Sequence, residues 1–133
     1  MKTKVEFRSA KFPAYENEQD EINPGRWGKR IAEYLSSKLR EKDITVGNIY
    51  LEDWGWAIPI EGQPVKMWIG CGNYEEYPDG FLCFIEPSKP IIKKLFKKID
   101  ITENIARISK AIEQIINADT EINSIKWWDE DEK

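Results

Sequence analysis

The sequence predicts an α+β fold, an antiparallel sheet of about four to six strands with two or three helices packed mainly on one face. Three observations lead there. Short runs with alternating apolar residues are joined by tight-turn chemistry, which makes neighbouring strands antiparallel. Longer stretches carry apolar residues three and four positions apart, as amphipathic helices do. The strands come in a block and do not alternate with helices, which argues against a parallel sheet.

Val5 and Phe7 alternate with polar neighbours and predict a first strand. An acidic, mobile loop is expected over 16–21. Asn23-Pro24 supplies an N-cap residue followed by proline at the first helical position, so a helix is expected over 24–42. Its stripe is Trp27, Ile31, Leu35 and Leu39, widened by Tyr34.

Residues 44–51 and 54–60 read as strands, and Glu61-Gly62-Gln63-Pro64 as the turn into a strand over 65–71. Pairing across that turn sets Ile60 against Val65, Ile58 against Met67 and Trp56 against Ile69, all on one apolar face. Pro78-Asp79-Gly80 marks the next turn. Phe81-Leu82-Cys83-Phe84-Ile85 is apolar on both faces, as a central strand would be. A short helix is expected from Ser88-Lys89-Pro90, with Ile92, Leu95, Phe96 and Ile99 inward and Lys93, Lys94, Lys97 and Lys98 in water. Asp100 to Glu103 offers a capping box for a further helix with Ile105, Ile108, Ile112, Ile115 and Ile116 as its core stripe. Residues 122–128 form either a last strand or an ordered tail.

The 133 residues suit one domain spanning 1–133, with 129–133 expected as a disordered acidic tail. Net charge is −4, of which that tail contributes −3 (four acids against one lysine). The body is near neutral, so nucleic acid is an unexpected partner. No run approaches a membrane span and no signal-peptide h-region opens the chain, so the expectation is a cytoplasmic protein with no membrane partner.

Cys71 and Cys83 do not make a disulfide scaffold; they are expected to face each other across neighbouring strands as buried thiols. The chain has no histidine, which removes Ser-His-Asp and Cys-His catalysis and the usual catalytic zinc sites. No catalytic residue, metal ligand or cofactor is assigned. Paired acids are the remaining equipment: Glu52 with Asp53, and Glu75 with Glu76 and Asp79, although acids in turns ordinarily serve solvation.

Two features carry the functional expectation. In Glu52-Asp53-Trp54-Gly55-Trp56 both tryptophans lie on one face of a strand, which places Trp56, and Trp54 with it, in the core. The acids before them either solvate a strand entry or bind a cationic partner. The opposite face carries Ala57, Pro59, Lys66, Trp68, Gly70 and Gly72, with either Leu82 and Phe84 or Phe81 and Ile85. It is either covered by a helix, by residues 13–15 or by a second subunit, or it is a contact surface.

At Asn23-Pro24-Gly25-Arg26-Trp27-Gly28, Glu52-Asp53-Trp54-Gly55-Trp56, Trp68-Ile69-Gly70-Cys71-Gly72 and Asp79-Gly80-Phe81-Leu82-Cys83-Phe84, the chain resembles small uncharacterised bacterial single-domain proteins. In size, acidity and lack of catalytic equipment it is similar to immunity proteins that neutralise secreted toxins. That resemblance implies a non-enzymatic inhibitor of a protein partner, such as a basic toxin domain. The partner-binding candidates are Glu52, Asp53, Trp68, Glu75, Glu76 and Asp79. The alternative is a small-molecule-binding domain or carboxylate-based hydrolase near Asp53 and Trp54; a homodimer paired through the Trp68 face is a third arrangement.

Overall fold

The computed structural model describes residues 1–16, 18, 27–74 and 77–129. Asn23-Pro24, Glu75, Glu76 and 130–133 lie outside the described residues. A six-stranded antiparallel sheet is built from β1 (Lys2–Arg8), β2 (Tyr50–Glu52), β3 (Gly55–Ile60), β4 (Met67–Asn73), β5 (Gly80–Glu86) and β8 (Asn123–Asp129). Its order is β2-β3-β4-β5-β1-β8. A separate two-stranded hairpin pairs β6 (Ile91–Lys94) with β7 (Lys97–Asp100). The described helices are α1 (Lys29–Glu41) and α2 (Thr102–Ala118). The α+β expectation therefore holds, and of the two options for 122–128 the strand is the one formed, as Asn123–Asp129.

Both helices pack on the same side of the sheet: α1 against β3 and β4, α2 against β1 and β5. Ile31, Leu35 and Leu39 of α1 and Ile105, Ile108, Ile112, Ile115 and Ile116 of α2 meet Val5, Phe7, Ile58, Ile69, Phe81 and Ile85 of the sheet. Phe81 is the aromatic hub, fully buried, with the rings of Trp27 and Phe12 edge-on at 5.4 and 5.8 Å. Full burial of side chains this large stabilises by about 1.5–3 kcal/mol each before chain entropy is counted.

Beyond the strand expected over 44–51, which is reduced to Tyr50–Glu52 with an isolated bridge between Val46 and Ile60 before it, three expectations need correction. Helix α1 starts at Lys29, so Trp27 precedes it and reaches the core from the loop. The β3–β4 register is displaced by two: Ile60 faces Met67, Ile58 faces Ile69 and Trp56 faces Cys71, with 61–66 as a longer turn. A shift of two keeps the parity of a pleated strand, so the inward set is unchanged.

The third concerns 91–100, where a hairpin replaces the expected helix. Ile92 and Ile99 are cross-strand partners, half-buried against the core, whereas Leu95 and Phe96 form the two-residue tip and point into solvent. Spacings of three, four and seven suit a helix, but the same residues are mirror-symmetric about 95–96 and suit a hairpin equally well.

Candidate functional site

The sheet face turned away from the helices is the candidate site. One row crosses all six strands: Tyr50 on β2, Ala57 on β3, Gly70 on β4, Phe84 on β5, Lys4 on β1 and Trp128 on β8. Beside it Pro59, Trp68 and Glu86 face one another across β3, β4 and β5. On the other side Leu82, Glu6 and Lys126 continue the grid. Tyr50, Pro59, Trp68, Leu82, Phe84 and Trp128 are all half-buried, in contrast to the fully buried Ile58, Ile69 and Phe81 on the helix side.

Glycine shapes this face. A Cβ on Gly70 would stand 2.3 Å from the Phe84 ring, so the missing side chain is what lets that ring lie across β4. Trp54 then tilts onto Phe84 with ring centroids 5.0 Å apart. Trp54 is thus half-buried on the open face, not in the core as its spacing from Trp56 implies. The backbone between them is the reason. Gly55 takes φ 150°, and a Cβ there would meet the Cys71 carbonyl at 2.4 Å; the turn residue before it does not follow strand parity.

Trp56 does enter the core, 7% exposed, and its indole N–H donates to Glu18 Oε2 at 3.1 Å. Glu18, only 2% exposed, also accepts from the backbone N–H of Gly28 at 2.7 Å and Lys29 at 2.8 Å, and its other oxygen accepts from Tyr15 N–H. This carboxylate closes the start of α1, where free N–H groups and the helix dipole favour an anion. Within the segment expected to be a mobile acidic loop, Glu18 is therefore a structural acid.

The predicted partner-binding residues separate into two places. Glu52 and Asp53 are exposed at the β2–β3 turn. Asp79 lies in the β4–β5 turn at the same end of the sheet, where it accepts Arg8 Nε at 3.1 Å and Nη2 at 2.7 Å, and Arg8 stacks on Tyr77. The Arg8 hydrogen bond holds the Asp79 carboxyl below its usual range. Trp68 is at the other end, about four residues or ~13 Å along β4 from Gly72. Beside it, burial pushes the Glu86 carboxyl up against the opposing pull of Lys4.

Cys71 and Cys83 face each other as register partners, both buried and reduced, with sulfurs 3.6 Å apart. The Cys83 hydrogen bond and burial push the Cys71 thiol well up, away from the thiolate a nucleophile needs. Among the described residues no group of three or more acids and cysteines is placed to hold a metal ion, and no helix is long and apolar enough to cross a membrane.

A cavity of about 490 Å³ lies on the helix side, lined by Lys11, Tyr34, Lys38, Lys42, Gln114 and Asp119 among others. Its core is a polar tether in which Lys11 Nζ and Tyr34 Oη both donate to Asp119 Oδ2 at 2.6 Å.

No family model, curated protein or solved structure matches the chain. Its functional reading therefore rests on its own geometry. Of the two alternatives the sequence leaves open, Leu82 and Phe84 are the pair on this face; Tyr50, Lys4 and Trp128 are missed as neighbours of Trp68, because strands far apart in sequence complete that row. Alternation within β1 and β8 was the available signal, but it does not say which strand lies beside which.

Proposed function

We propose that the chain is a non-enzymatic binding protein that holds a protein partner on the open face of its sheet, in the manner of an immunity or antitoxin-like inhibitor. One observation carries this reading. Neither described helix covers a face on which Tyr50, Trp54, Trp68, Phe84 and Trp128 are half-exposed beside Lys4, Glu86 and Lys126. Aromatic residues framed by polar ones are the composition of binding hot spots, since rigid rings bury much area at little entropic cost.

The charge distribution supports a basic partner. Glu52 and Asp53 project from one end of the sheet, and the chain as a whole is at −4. Such acids steer association and set its salt dependence more than they set affinity. Asp79 contributes less to that field, because its charge is already answered by Arg8.

A second reading, a small-molecule site or carboxylate hydrolase near Asp53, draws on the Trp54–Phe84 platform beside exposed acids. It needs one carboxyl raised by burial to act as the acid, and the raised Glu86 carboxyl sits at the Trp68 end instead. Binding of a protein is the better fit.

Tagged protein expressed in its native cells and purified at low salt tests this. The expected result is one stoichiometric protein that co-elutes with the unsubstituted chain and is lost with Trp68→Glu, whose circular dichroism stays unchanged. A chain that emerges alone, or a partner retained by the variant, would contradict it.

A further inference from the structure

The β6–β7 hairpin breaks three rules of hairpin stability at once. Leu95 and Phe96 form its tip and are 94% and 105% exposed, as fully solvated as an apolar side chain can be. Leu95 holds φ 55°, the left-handed region, at a turn position that ordinarily takes glycine or asparagine. Behind the tip, Lys94 stands directly opposite Lys97, and Lys93 opposite Lys98. Like charges in such cross-strand positions repel. None of the four lysines forms an ion pair among the described residues. Local conflicts of this kind gather where a segment serves binding and not its own folding.

We propose that this hairpin docks end-on at an anionic lipid surface, with Leu95 and Phe96 entering the apolar boundary and the four lysines meeting the headgroups. The geometry favours a bilayer over a groove in a protein. Successive residues of a strand point to opposite faces, so the Lys94/Lys97 pair and the Lys93/Lys98 pair lie on opposite sides of the hairpin. The cations therefore surround the apolar tip, whereas a groove would need them on one side. They also lie within about 3–7 Å of the tip along the strands, which suits entry of apolar side chains ~5–10 Å into the headgroup boundary.

Half-buried Ile92 and Ile99 tie the base of the hairpin to the core, so the tip is carried on a fixed stalk. The absence of a spanning helix does not bear on this, because a surface-seated element needs none. The inference is independent of the partner proposed for the open sheet face, since the hairpin contributes no strand to that sheet.

Vesicle co-sedimentation with the full chain tests it, using phosphatidylcholine vesicles with and without phosphatidylglycerol. The unsubstituted chain should sediment with the anionic vesicles only, and progressively less as salt rises. The paired change of Leu95→Gly with Phe96→Ser supplies a turn sequence that favours the hairpin, so folding is retained. It should weaken vesicle binding by at least about tenfold with no loss of thermal stability. Changing Lys94 and Lys97 to Gln should weaken it by roughly fivefold per charge removed. Equal binding to neutral vesicles, no binding to either, or a Gly-Ser variant that binds unchanged would overturn the proposal. Tip-dependent capture by a polyglutamate peptide without vesicle binding would also overturn it and would assign the hairpin to an acidic protein.

Discussion

Glu18 shows most clearly how a single residue organises this molecule. It is a buried acid that accepts hydrogen bonds from three backbone N–H groups and one indole, and so joins the first loop, the start of α1 and the Trp56 ring. Those four donors would be costly to leave without an acceptor. Glu18→Gln turns one of the accepting oxygens into a donor facing other donors. It should cost about 2–4 kcal/mol in urea unfolding; a loss below ~0.5 kcal/mol, the scale of an ordinary surface change, would show that the cap is dispensable. The sequence could not announce this role, because an acid eleven residues before the helix looks like any other acid in a charged loop. Trp56 was legible in the core; its partner was not.

At the scale of elements, the two helices and the central strands were readable because their periodicities are unambiguous. Ile105, Ile108, Ile112 and Ile115 can share a face only in a helix, because a strand would send 108 and 112 to the opposite side from 105 and 115. The hairpin at 91–100 was unreadable for the opposite reason. Its apolar residues satisfy both periods, and its turn, Leu95-Phe96, carries none of the glycine, asparagine or aspartate that marks a hairpin.

Elements are also joined by polar tethers, of which Asp119 is the clearest. It follows α2 and accepts from Tyr34 of α1 and from Lys11. Burial alone would raise its carboxyl, but the Lys11 and Tyr34 hydrogen bonds outweigh that and bring it to about 2. A depressed carboxylate stabilises the fold above its unfolded value of 3.8, and that contribution is lost as pH falls through the folded value of about 2. The unfolding free energy from denaturant titration should therefore drop between pH about 4 and about 2, by on the order of 1–2 kcal/mol. Asp119→Asn should flatten that segment of the profile. An unaltered profile in the variant would assign the acid sensitivity elsewhere.

On the scale of the whole molecule, the open sheet face is a product of topology. Helices on one side leave Tyr50, Phe84, Lys4 and Trp128 in line on the other, and β1, first in sequence, sits between β5 and β8 to complete the row. The sequence could say that Trp68 lies opposite the core-facing set, in a strand paired with 54–60; it could not say that β1 and β8 would continue the sheet beyond β5, because that order is decided by long-range packing. Of the acids named with Trp68 as partner-binding candidates, Glu52, Asp53 and Asp79 lie at the far end of the sheet, and Glu86, which was not among them, takes the position beside Trp68. The central claim is that this face, rather than the helical one, holds a protein partner. Photo-crosslinking tests it most directly, with a benzophenone side chain placed at position 68 and, as a control, at exposed position 113 on α2. A single crosslinked protein from position 68 and none from 113 is the predicted result; no adduct from 68, or the same adduct from both positions, would contradict it.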